Sequence, residues 1–346
     1  MTYPETAQIR EILEVATRVV IIQADNPDGD SLGSSLALEH IFGDMGKEPI
    51  MYCGVAVPSY LTYLGGWDRV VKDLPVQFDV SIIVDTSADS LLESLTPAGR
   101  AKLAGKPCII IDHHATAATI TFATVICNHP AVSTGEIIYE LAKQTGWQLN
   151  IEAKKMIATS IMADSLGLVT EATSARSIHI IAELVEGGVK LSELDYERRM
   201  LMRKSPELVK YKGELLQRID YAADGRLALV WIPWQEIAEY SPLYNPSMLV
   251  MEDMRMTTGV QIAIAFKIYK DGKVTAKIRC NQNAPIAAKL AEHFGGGGHL
   301  YASGFKTQRS DQPFNEIKSE CISYATELLN NLGREQNNET IQHTFA

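Results

Sequence analysis

Val19-Val20-Ile21-Ile22-Gln23-Ala24-Asp25-Asn26-Pro27-Asp28-Gly29-Asp30 is the stretch on which the fold turns. Its β-branched run is too short for a helix and reads as a buried strand, and the turn-forming sequence from Asn26 to Asp30 closes it. A helix follows, because Leu38, Ile41, Phe42 and Met45 recur at i, i+3, i+4 and i+7. The same pattern returns downstream: Val80 to Val84 runs into Asp85, and Cys108 to Ile111 runs into Asp112-His113-His114. Each of these apolar strands ends in an acid or a histidine.

Short apolar strands separated by helical stretches predict an α/β fold, with a mostly parallel sheet covered by helices on both faces. Sheets of this kind bind ligands beyond the carboxyl ends of their strands, which is where Asp28, Asp30, Asp85 and His113 fall. Ser133-Thr134-Gly135-Glu136 carries the capping-box signature of a new helix. A further helix around Met156 to Ala163 brings Ile157, Ile161 and Asp164 to one face, and an acid on that apolar stripe is unusual.

The second half is organised differently. From Leu191 to Tyr221 the chain is highly charged and helical in pattern, with Pro206 as a break. Val260, Ile262, Ile264, Phe266 and Ile268 then alternate strictly, Asp271-Gly272 offers a two-residue turn, and Val274, Ala276 and Ile278 alternate again, which predicts a β-hairpin. A helix from Pro285 to Phe294 runs into Gly295-Gly296-Gly297-Gly298-His299. The expected division is a first domain over 1–190, a helical connector over 191–224, a smaller α/β domain over 225–332 and a flexible tail over 333–346, with the active site in the cleft between the domains.

The length of 346 residues fits two domains, and 46% hydrophobic with 21% charged residues is a globular composition. A net charge of −10 repels a long polyanion, so duplex DNA is excluded as a partner, although a local basic cleft can hold a short one. Five cysteines, an odd number without C-x-x-C spacing, predict neither a zinc knuckle nor a disulfide framework and point to a reducing cytoplasm. No apolar run approaches the roughly 18 residues of a membrane span, so no membrane partner is expected.

Asp28 and Asp30 lie two apart in a turn, and paired carboxylates repel unless a cation lies between them. Taken singly, each acid has an ordinary explanation, as a turn residue, a helix cap or a satisfied buried group. Together, Asp28, Asp30, Asp85, Asp112-His113 and Asp164 form a set of hard oxygen donors with one or two imidazoles, which suits Mn²⁺ or Mg²⁺ better than thiolate-seeking metals. Gly295 alone explains the end of the preceding helix. Four glycines in a row before His299 additionally let backbone N–H groups approach an anion closely.

In order along the chain, Asn26 to Ser34, Val84-Asp85-Thr86-Ser87, Asp112-His113-His114, Ala163-Asp164-Ser165 and Gly295 to Gly304 resemble the motifs of the DHH phosphoesterase superfamily and its DHH-associated domain. The resemblance covers nearly the whole chain and is strongest to the oligoribonuclease (nanoRNase)/pAp phosphatase group. It implies one metal held by Asp28 and Asp85 and another by Asp30, Asp85, His113 and Asp164, with Asp85 as the bridge. It further implies that His114 contacts the scissile phosphate, that Asp112 orients the histidine pair, and that Arg279, Gly296, Gly297, Gly298 and His299 bind substrate. Lys277, on the strand face of Arg279, is a lesser candidate.

One position departs from the family pattern. Ala24 stands where a metal-ligating histidine is usual, so the first metal is expected to bind weakly. The implied cofactor is Mn²⁺ in a two-metal site, with Mg²⁺ as a substitute, and the implied activity is hydrolysis of short single-stranded RNA or of 3′-phosphoadenosine 5′-phosphate (pAp). Cyclic or linear dinucleotide hydrolysis and a non-catalytic nucleotide-binding module are the alternatives. A monomer or a homodimer fits either case.

Overall fold

The computed structural model describes residues 2–115, 117–307 and 313–344, with side chains to Arg334. The chain divides into two compact units, Met1–Arg203 and Lys204–Ala346. The stretch expected as a connector is split by this division.

The first unit runs α1 (Thr6–Val15), β1 (Arg18–Ile22), α2 (Gly29–Asp44), β2 (Glu48–Tyr52), β3 (Val80–Val84), α3 (Pro97–Ala104), β4 (Cys108–Asp112), β5 (Val125–Asn128), α4 (Thr134–Thr145), α5 (Ile151–Asp164), α6 (Ala175–Glu186) and α7 (Leu191–Leu201). Its five strands are all parallel, in the order β2-β1-β3-β4-β5. The sequence singled out β1, β3 and β4. The strands it passed over, β2 and β5, lie at the two edges, where Pro49 and an exposed Ile126 interrupt the apolar signal.

Alternation decides what each face buries. Val19, Ile21, Ile82 and Ile109 pack under α1, α2, α4, α5 and α6, while Val20, Ile22, Ile83 and Ile110 pack under α3 and the loops of the opposite face. Helix α2 approaches α5 closely because glycine stands at the contact: a Cβ on Gly33 would meet the Met156 carbonyl oxygen at 3.0 Å, and one on Gly29 would meet Ala163 Cβ at 2.7 Å. The expected capping box before α4 is half made. The Ser133 hydroxyl accepts the Glu136 N–H, but Glu136 reaches the N–H of Val132 and the hydroxyl of Ser177 instead of closing the box.

The second unit runs α8 (Pro206–Gln217), β6 (Asp220–Ala222), β7 (Leu227–Ile232), α9 (Trp234–Tyr240), α10 (Pro246–Arg255), β8 (Ile262–Ile268), β9 (Val274–Cys280), α11 (Ala287–His293), β10 (Gly297–Gly298), β11 (Ala302–Thr307) and α12 (Phe314–Thr344). Its mixed sheet has the order β10-β11-β9-β8-β7-β6. One face packs on α11 and α12, the other on α8 and α10 with the start of α9. The expected hairpin is β8–β9, but its loop has three residues, not two. Tyr269 pairs with Lys273 across Lys270-Asp271-Gly272, and Gly272 takes φ +80° to close the loop. Pro206 opens α8 at its first turn, the position where a missing N–H costs nothing. The stretch 333–346, expected as a tail, is helical to Thr344, and the rest of that expectation lies outside the described residues. Among the described residues, no helix is long and apolar enough to cross a membrane.

Candidate functional site

The strand order reverses direction between β1 and β3, so the loops leaving their carboxyl ends diverge and open a crevice. The segments that follow β1, β3 and β4 carry Asp28-Gly29-Asp30, Asp85 and Asp112-His113-His114 into this region.

Asp28 is the N-cap of α2. Its Oδ1 accepts the N–H groups of Asp30 and Ser31, each at 3.0 Å, and its own N–H is donated to the Ser31 hydroxyl at 2.9 Å. Asp30 is fully buried, and its carboxylate accepts the hydroxyls of Ser160 at 2.6 Å and Ser34 at 2.9 Å and the N–H of Thr134 at 2.8 Å. Asp85 leaves β3 with φ +62°, a left-handed conformation that non-glycine residues rarely adopt. Strain of this kind costs about 1–3 kcal/mol and is concentrated at functional sites. The Thr134 hydroxyl donates to Asp85 Oδ1 at 3.2 Å. Asp164 ends α5, where the helix dipole disfavours an acid unless a cation is near.

Three of these four acids meet on one nitrogen. His113 Nδ1 lies 3.2 Å from the Ala131 carbonyl oxygen, which only an N–H can satisfy, so Nδ1 carries the proton. Nε2 then faces Asp164 Oδ2 at 3.3 Å, Asp85 Oδ1 at 3.4 Å and Asp30 Oδ2 at 3.5 Å, buried and aligned for a hydrogen bond with none of them. A lone pair facing three carboxylates is repulsive unless a proton or a metal ion lies between. Burial disfavours a charged His113 ring, but Asp164, Asp85 and Asp30 outweigh it and push the imidazole up to about 11. Burial and the neighbouring Asp30 hold the Asp85 carboxyl well above the usual range.

The donor set therefore fits a divalent cation on its chemistry: hard oxygens, one imidazole nitrogen, and a concentration of negative charge that only a cation relieves. The ligand atoms of Asp30, His113 and Asp164 lie within 4.8 Å of one another, as do those of Asp85, His113 and His114. Asp28 stands outside both groups, with one oxygen committed to the helix cap.

Asp112 Oδ1 accepts the backbone N–H of His113 at 2.8 Å and of His114 at 3.2 Å, and lies 2.8 Å from His114 Nδ1. With Nδ1–H donated to Asp112, Nε2 is the remaining nitrogen of a half-exposed ring. The hydrogen bond to Asp112 raises the His114 pKa against the opposing effects of burial and His113. Asp112 stays ionised because the contacts from His114 and Ser87 outweigh its burial.

Sequence reasoning missed Ser34, Thr134 and Ser160, which hold the acids in place, because serine and threonine carry no signal of their own inside a helix pattern. Gln23 is fully buried with neither amide atom paired, next to an Ala24 that is itself buried.

In the second unit, Arg279, Lys277 and Lys306 line a cavity of about 580 Å³ together with Gly295 to Gly298. The four glycines do different jobs. Gly295 ends the helical segment at φ +76°, and Gly296 and Gly298 lie so close to the β11 backbone that a Cβ would collide with it. A Cβ on Gly295 or on Gly297 would meet nothing within 4 Å, and of these two only Gly295 has a left-handed φ. His299 is exposed, and its N–H and carbonyl pair with Ala302.

Residues 18–169 match the model of the DHH family, N-terminal domain. The chain is similar to the bifunctional oligoribonuclease and PAP phosphatase NrnA of Bacillus subtilis (strain 168), with 24% identity over 310 residues, 88% of this chain and 94% of that one. It is similar to the protein of the same name from Thermus thermophilus, with 26% identity over 317 residues, 89% of this chain and 91% of that one. The crystal structure of an exopolyphosphatase-related protein from Bacteroides fragilis shares the fold, with a TM-score of 0.79 at 22% identity over 94% of this chain and 97% of that one.

Proposed function

Residues 18–169 match the model of the DHH family, N-terminal domain, and from that match we propose that the chain is a divalent-metal-dependent phosphoesterase. Its substrates are short oligoribonucleotides, cleaved to mononucleotides, and pAp, cleaved to AMP. The observation that carries the reading is the meeting of three carboxylates on His113 Nε2, each within 3.5 Å. The near full-length similarity to relatives named for both activities supports the substrate class.

Asp30, Asp85, His113 and Asp164 would hold one ion, preferably Mn²⁺ with Mg²⁺ as a substitute, and Asp28 with Asp85 a second and weaker one. A divalent cation here supplies Lewis acidity and activates water as a nucleophile at neutral pH. His114 donates Nε2–H to a phosphoryl oxygen as charge builds on it, and Asp112 holds the ring in the tautomer this requires. Thr134 and Ser160 keep Asp85 and Asp30 aligned. Arg279 and the glycine loop capture a terminal phosphate. The five buried, free cysteines support a reducing compartment such as the cytoplasm.

The test is release of mononucleotides from end-labelled RNAs, dinucleotide to pentanucleotide, with and without Mn²⁺, beside pAp and cyclic di-AMP. Metal-dependent hydrolysis of the RNAs or of pAp is expected. Turnover of cyclic di-AMP alone would replace the substrate assignment. Binding without turnover of any of them would leave a nucleotide-binding module, the reading that Ala24 favours.

A further inference from the structure

The second sheet gathers four cations, Arg279, Lys277, Lys267 and Lys306, on the face that packs on α8 and α10. Strand register fixes their arrangement. Arg279 and Lys277 alternate along β9, and Lys277 faces Gly304 of β11 on one side and Ala265 of β8 on the other. One step further, Thr275 faces Lys306 on one side and Lys267 on the other. Residues two apart on a strand are separated by about 7 Å, and diagonal cross-strand neighbours by about 7–8 Å. The cations thus form a ladder of nearly even step. Ala302 and Gly304, opposite Arg279 and Lys277, leave the floor of the ladder low.

Among the described residues none of the four has a carboxylate partner; Arg279 donates only to the carbonyl of Ile278. The bland reading is a solvated strand face, and Lys306 fits it, being exposed. Lys267 and Lys277 do not. Both are partly buried, and burial together with a neighbouring cation pushes each ammonium below its usual pKa. A fold that desolvates mutually repelling ammonium groups without an acid is one that an anion relieves. Beyond Lys267 the same face reaches Tyr269, whose ring lies 6.2 Å from that of Trp234. Cations in a row that end on aromatic rings are the layout of a single-strand nucleic-acid track.

We propose that this strip binds successive phosphates of one short single-stranded oligonucleotide: Arg279 and the glycine loop take the first, and Lys277 with Lys267 the next. The preferred substrate class is then a chain with at least one internal phosphodiester, not a nucleotide offering a lone phosphate to this unit. The identity of the polyanion rests on the phosphoesterase reading; the existence of a multi-phosphate track does not.

The test uses the full-length protein in EDTA, so that binding is read without turnover. Anisotropy of fluorescein-labelled tri-adenylate is measured for the unaltered protein and for Lys267→Gln, Lys277→Gln and Lys277→Arg, with AMP and inorganic phosphate as competitors. Each Gln variant should weaken trinucleotide binding about tenfold and lower the slope of log K against log salt by about 0.7. Competition by AMP and inorganic phosphate should be unchanged, and Lys277→Arg should retain binding. Equal loss for trinucleotide and AMP, no loss for either, or no trinucleotide binding by the unaltered protein would each overturn the proposal. Absence of turnover on every substrate, with this binding pattern intact, would remove the phosphoesterase reading and leave the track standing.

Discussion

Ser160 on α5 donates its hydroxyl to Asp30 on α2 at 2.6 Å, and its Oγ accepts the N–H of Gly135 at the start of α4 at 2.9 Å. One buried hydroxyl therefore ties three helices to the acid that faces His113. Ser160→Ala leaves the Gly135 N–H without this acceptor and Asp30 with one donor fewer, a loss of about 1–3 kcal/mol. The variant should melt lower and lose kcat more than it gains KM. Unchanged metal affinity and kcat would show that Asp30 is held without it.

Asp85→Asn should abolish nearly all turnover, since the residue faces His113 at 3.4 Å and is the proposed bridge between ions. Its stability effect runs the other way. The folded carboxyl is raised well above its ordinary value, so in metal-free protein it opposes folding once pH exceeds the unfolded value. Metal-free Asp85→Asn should therefore melt no lower than the parent at neutral pH, and a clear drop would contradict the electrostatic account.

Metal binding should release a proton. His113 is pushed up to about 11 in the metal-free protein, so it holds its proton at neutral pH, while a metal ligand must be neutral. Its contribution to metal-free stability is complete below the unfolded histidine value and is lost as pH rises through about 11. Apparent Mn²⁺ affinity should climb with pH. Titration calorimetry in two buffers of different ionisation enthalpy should show a difference corresponding to proton release, and identical heats would remove His113 as the displaced acid.

The glycines of the loop should separate by experiment. A Cβ on Gly298, at φ +140°, would meet the Ser303 Cα at 2.6 Å, so Gly298→Ala should cost at least about 1–3 kcal/mol and lower the melting temperature. A Cβ on Gly297 meets nothing within 4 Å. Gly297→Ala should leave melting unchanged and raise KM, and a normal KM would mean that no ligand approaches that backbone.

Ala24→His should tighten the weaker ion, read as Mn²⁺ stoichiometry by electron paramagnetic resonance with and without nucleotide. Two tight ions in the unaltered protein would refute the weak-site expectation. Ala24 is only 4% exposed, so a modest fall in melting temperature is expected alongside the gain.

Much of the first unit was legible because its central strands announce themselves: Val19–Ile22, Val80–Val84 and Cys108–Ile111 are apolar on both faces, and each halts at a charged or turn residue. The edge strands β2 and β5 were not, since an edge tolerates proline and exposed side chains. In the second unit the hairpin was read correctly but its loop was one residue longer, because Tyr269 pairs with Lys273 and Gly272 serves as the left-handed residue that ends a three-residue loop.

The sequence by itself determined the order and chemistry of the donors, because strand periodicity and the residue that ends each strand are local properties. Tertiary structure alone decided that Asp30, Asp85 and Asp164 share one nitrogen of His113 and that Ser160 and Thr134 hold two of those acids. It also decided that Lys267 joins Arg279 and Lys277 on one strip. Each of these depends on which strands lie side by side and how closely α2 can approach α5, and both are settled by packing of residues far apart in the chain.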